Sequence, residues 1–86
     1  MNLPIEQLRL CCLMIYLDRL QLDGVRLCTR IRIAYVVSDA INRAIEKRGM
    51  TDAMKIVAAV RRRIHSYVLL DIEMDRRDQA AKGVAQ

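Results

Sequence analysis

The sequence predicts an all-α fold: three antiparallel helices in an up-down-up bundle, assembled as a homodimer. Three observations predict it. Apolar residues recur at helical spacing along nearly the whole chain. Cap and turn residues cluster at only two internal places, Asp23-Gly24 and Gly49-Met50-Thr51. The stretch from Leu10 to Leu17 holds no charged or amide residue, so a helix there is apolar all round and has to be covered all round.

The first helix spans about 4–22. Pro4 suits its first turn, Glu6 favours the positive end of its dipole, and Asp23-Gly24 stops it. The second helix, about 25–48, ends in Glu46-Lys47-Arg48 before Gly49, with cations and then glycine at a C-terminus. On its wheel Leu27, Ile31, Ala34, Ser38, Ile41 and Ile45 form the expected core stripe. Thr51 reads as the cap of the third helix, about 52–82, whose stripe is Ala53, Val57, Val60, Ile64 and Val68. Gly83 begins a flexible tail over 83–86. Short connections make neighbouring helices antiparallel, and the whole of 1–86 is one helical domain.

Composition narrows the class further. A hydrophobic content of 53% is too high for a disordered chain, and with no Trp or Phe the core is built of aliphatic residues. Cys11, Cys12 and Cys28 lie in apolar stretches, and the adjacent pair is poorly placed to bridge. They read as reduced, buried small hydrophobes in a cytoplasmic protein. The apolar run is far shorter than the roughly 20 residues that cross a bilayer. Glu6 before it, with Asp18 and Arg19 after it, do not suit a signal peptide.

Two charges fall within the apolar arcs. Arg30 points near Ile41 and Asp71 near the stripe of the third helix, and a hairpin about Gly49 brings position 30 opposite position 70. An Arg30–Asp71 ion pair is therefore expected in the interface, with Arg26 and Glu73 or Asp75 as a looser second pair. Such a pair fixes register. The other reading is that Asp71, Asp75 and Asp78 hold a divalent cation; Arg76 and Arg77 among them, and the lack of further oxygen ligands, count against it.

Residues that could carry chemistry are sparse. His65 is the only histidine and has no cysteine at zinc spacing. Ser38 and Ser66 lack the glycines of a nucleophile elbow, and no glycine loop could cradle a phosphate. Neither enzymatic activity, nor a cofactor, nor a metal is expected.

The basic residues carry more weight. Of fifteen cations, ten lie between Val25 and Arg63 against three acids. Arg32, Arg43, Lys47, Lys55 and Arg62 face outward by the wheel and could contact a duplex backbone. The plainer reading is a solvated face, since Asp39 and Glu46 are interspersed on it.

The apolar surplus points to protein contact. Leu69 and Leu70 leave the stripe of the third helix, and Leu10, Leu13, Met14 and Leu17 crowd the first. These six are the expected dimer or partner interface. The function expected is that of a non-enzymatic, homo-oligomeric binding protein of adaptor, inhibitor or chaperone type. The alternative is a nucleic-acid-binding regulator using the five outward cations.

Overall fold

A computed structural model describes residues 3–84 as three helices, with no strand among them: α1 (Ile5–Leu20), α2 (Leu27–Arg48) and α3 (Ala53–Val84). Each packs on both others.

The ends of the helices follow local chemistry, with shifts from the expected boundaries. Pro4 precedes α1, and its carbonyl accepts the Leu8 N–H at 2.9 Å. α1 stops at Leu20, two residues early, because Gln21 turns left-handed at φ 51°. α2 starts at Leu27, after a turn in which the Val25 N–H reaches the Leu22 carbonyl at 3.1 Å. It ends at Gly49, whose φ of 64° costs a glycine little. Asp52, rather than Thr51, caps α3: its Oδ1 accepts the Lys55 N–H at 3.1 Å. Gly83 does not end α3, which continues through it to Val84; residues 85 and 86 of the expected tail lie outside the described residues.

The core is aliphatic. Leu8, Cys12 and Tyr16 enter from α1; Ile33, Val37, Ile41 and Ala44 from α2; Ile56, Val57, Val60, Val68 and Ile72 from α3. The α3 stripe is close to the one its spacing predicts. On α2 the expected stripe is not the buried one: Thr29, Ile33, Val37, Ile41 and Ala44 are buried, whereas Leu27 and Ile31 are exposed. The two stripes lie roughly 100° apart around the helix and share only Ile41. Leu27 and Ile31 are the more hydrophobic pair, but Thr29 faces inward because a buried partner waits there.

That partner is Asp75. Its Oδ1 accepts from Arg26 Nε at 2.5 Å and Thr29 Oγ1 at 2.8 Å; its Oδ2 accepts from the Arg26 backbone N–H at 3.2 Å and Gln79 Nε2 at 2.6 Å. Burial pushes a carboxyl up, but these bonds outweigh it and hold Asp75 well below the usual carboxylate range. A carboxylate from α3 thus sits at the positive end of α2, which has no side-chain cap of its own. Gln79 also donates to the Gly24 carbonyl at 2.9 Å, and Arg26 Nη2 lies 2.9 Å from Asp78 Oδ2. The loop between α1 and α2 is tied to α3 at three points.

The expected Arg30–Asp71 pair does not form. Arg30 Nε donates to the Val25 carbonyl at 2.7 Å, and Asp71 is held in a two-pronged pair by Arg32 at 2.6 and 3.0 Å. This pair is partly open to solvent, so the more deeply seated ion pair of the interface is the one expected to be looser, Arg26–Asp75, in which the carboxylate is buried and the arginine half-buried.

Candidate binding surfaces

Packing leaves much apolar surface uncovered. On α1, Leu8, Cys12 and Tyr16 face inward, so Leu10 and Met14, on the opposite side of the helix, are 57% and 62% exposed. Leu13 and Leu17 are half-buried against the edge of the core. Beside them the outer stripe of α2 presents Leu27 at 68%, Ile31 at 48% and Tyr35 at 74% exposure. Leu13, Ile31, Ala34, Tyr35 and Ser38 line a shallow groove of about 230 Å³ where α1 and α2 meet. Leu13 therefore adjoins an α2 face that the helical wheel assigns to the core, while Met14 and Leu17 border a shallow hollow of α1 itself with Ile15 and Asp18.

Leu69 and Leu70 are exposed but separated. Leu70 lines a second groove, of about 350 Å³, with Val36, Tyr67 and Met74 between α2 and α3. Leu69 faces a small cleft beside the end of α1, with Tyr16 and His65.

The five expected nucleic-acid contacts are all exposed, but they do not form one uncompensated field. Arg32 holds Asp71 and Arg43 holds Asp39 at 3.2 Å. Lys47, Lys55 and Arg62 make no ion pair among the described residues. The aspartate row is committed in the same way: Asp71 to Arg32, Asp75 to Arg26, and Asp78 to Arg26 and Lys82. No group of three potential metal ligands occurs among the described residues.

The cysteines divide by environment rather than sharing one. Cys12 is buried, and burial, reinforced by neighbouring Cys11, pushes its thiol up to about 11. Cys11 is half-buried. Cys28 is exposed, contrary to the expectation that all three are core residues, because it lies on α2 beside the outer stripe. His65 is half-buried, with Nδ1 3.1 Å from the Tyr16 hydroxyl.

Among the described residues, no helix is long and apolar enough to cross a membrane. No family model matches the chain, and neither does any curated protein or solved structure.

Proposed function

We propose that the chain is a non-enzymatic, homodimeric binding protein of adaptor, inhibitor or chaperone type. Its second copy covers the face made by α1 and the outer stripe of α2. The observation that supports this reading most is the exposed surface. The chain exposes 6288 Å², whereas a folded monomer of its mass exposes about 5,200 Å². The surplus, roughly 1,100 Å², exceeds the about 800 Å² that one partner buries in a standard-sized interface. Exposed apolar residues of α1 (Leu10, Met14) and of the outer α2 stripe (Leu27, Ile31, Tyr35) supply apolar area for it, and the groove of Leu13, Ile31 and Tyr35 joins the two helices. The α2–α3 groove with Val36, Tyr67, Leu70 and Met74 stays open for a different protein.

Within each protomer we take the bundle as up-down-up. The residue pairs favour it: Arg26 meets Asp75, and Arg32, farther along α2, meets Asp71, earlier on α3. A cytoplasmic location accords with the unpaired thiols.

Duplex binding through Lys47, Lys55 and Arg62 is the competing reading, and a salt series separates the two. Sedimentation of the chain with and without a short DNA duplex should show self-association that persists between about 50 and 200 mM salt, while any duplex binding falls steeply over that range. Association that appears only with the duplex, and vanishes with salt, would replace the protein-contact reading by the nucleic-acid one.

A further inference from the structure

We propose that the cleft between the end of α1 and the middle of α3 is a binding site for a single phosphate group. Arg19 comes from α1; Arg61 and His65, one turn apart on α3, line the cleft with it, and Tyr16 of α1 meets His65 there. Leu20, Val57 and Leu69 supply apolar walls.

Four features single this cleft out. First, no carboxylate lines it. Second, Arg19 and Arg61 are two of the seven arginines that make no ion pair among the described residues, and both line this one cleft. Two guanidiniums lining one small cleft without a counter-charge are better accommodated when an anion joins them. Third, the polar group at the cleft is built in rather than incidental: Tyr16 is only 3% exposed, and its hydroxyl meets His65 Nδ1. In the tautomer that accepts the tyrosine hydrogen at Nδ1, the ring carries its own N–H at Nε2, a further donor for an oxyanion. Burial pushes the Tyr16 hydroxyl up while Arg61 pulls it down, so the Arg61 charge acts at this point of the cleft. Fourth, the cleft measures about 100 Å³. That is well below the roughly 300 Å³ at which pockets for larger organic ligands begin, and it favours one tetrahedral oxyanion. Guanidinium forks match phosphate oxygens in pairs, which favours phosphate over chloride.

Free phosphate and the phosphoryl group of a small monoester share this chemistry, and titration with inorganic phosphate and with glycerol 3-phosphate distinguishes them. The full chain is titrated with each by calorimetry and by thermal melting, against sodium chloride of equal ionic strength. A saturable rise in Tm with at least one of the two is expected, and the tighter binder identifies the source. Arg19→Gln and Arg61→Gln remove exposed side chains, so both variants should fold. Each should weaken the response by about tenfold or more, the worth of one charge-assisted hydrogen bond. Arg43→Gln, whose arginine already holds Asp39, should leave the response unchanged. A phosphate response no greater than that of chloride, or one that survives in the Arg19→Gln/Arg61→Gln double variant, would overturn the assignment.

Discussion

Asp75 shows how one side chain can decide what a whole helix buries. Its carboxylate is enclosed and satisfied by four donors; without it the Thr29 hydroxyl and the Arg26 backbone N–H lose their partner, while Gln79 keeps the Gly24 carbonyl and the Arg26 guanidinium keeps Asp78. Asp75→Ala should therefore lower Tm on the order of 10 °C, with the Arg26 backbone N–H and the Thr29 hydroxyl left unsatisfied at the α2 start. The acid response carries the same signature. The folded carboxyl ionises below its ordinary value of 3.8, so the network contributes fully above that pH and is lost as pH falls below it. Denaturant unfolding should show stability declining below about pH 4, and Asp75→Asn should flatten that decline. An Asp75→Asn profile parallel to the parent's would place the acid sensitivity elsewhere. Cys12 offers a second reading at this scale. Its thiol, pushed up to about 11 by burial, should resist alkylation at neutral pH until the chain unfolds, while exposed Cys28 reacts in the native state. Equal labelling of the two would contradict the packing of α1.

Between elements, the two cross-helix ion pairs of α2 and α3 are unequal. Asp71 and Arg32 remain partly solvated, and such pairs contribute little. Asp71→Ala should shift Tm far less than Asp75→Ala does; comparable losses would mean that the outer pair is as important as the inner one. The helices, their order and most of the α3 core were legible from spacing alone, because the first half of α3 carries one dominant apolar stripe through Val57, Val60 and Val68. Asp75 was legible in principle, since it follows Val57 by five whole turns of 3.6 residues and so lies on the same line of the helix. Asp71 sits off that line and drew the expected pairing away from it. The α2 core was not legible, because that helix has two apolar stripes. The choice between them rests on the contact of Thr29 with Asp75, 46 residues away, which no local pattern reports. Leu10 and Met14 are exposed, and the further apolar surface of Leu27, Ile31 and Tyr35 was hidden by assigning the outer α2 stripe to the interior.

The whole molecule is long and thin, 54 × 20 × 16 Å. Its radius of gyration is 14.7 Å, against about 12 Å for a compact domain of this length. At about 48 Å, α3 is twice the length of α1, so α1 cannot cover it from end to end. Such a shape buries one side of each helix and leaves apolar residues on the others, which is the physical reason for expecting a second copy. Light scattering on the full chain at tens of micromolar tests this most directly. The expected mass is twice 9.9 kDa, falling to 9.9 kDa in a Met14→Asp/Ile31→Asp variant that keeps its helical content. A monodisperse parent chain of 9.9 kDa, folded and melting cooperatively, would contradict it.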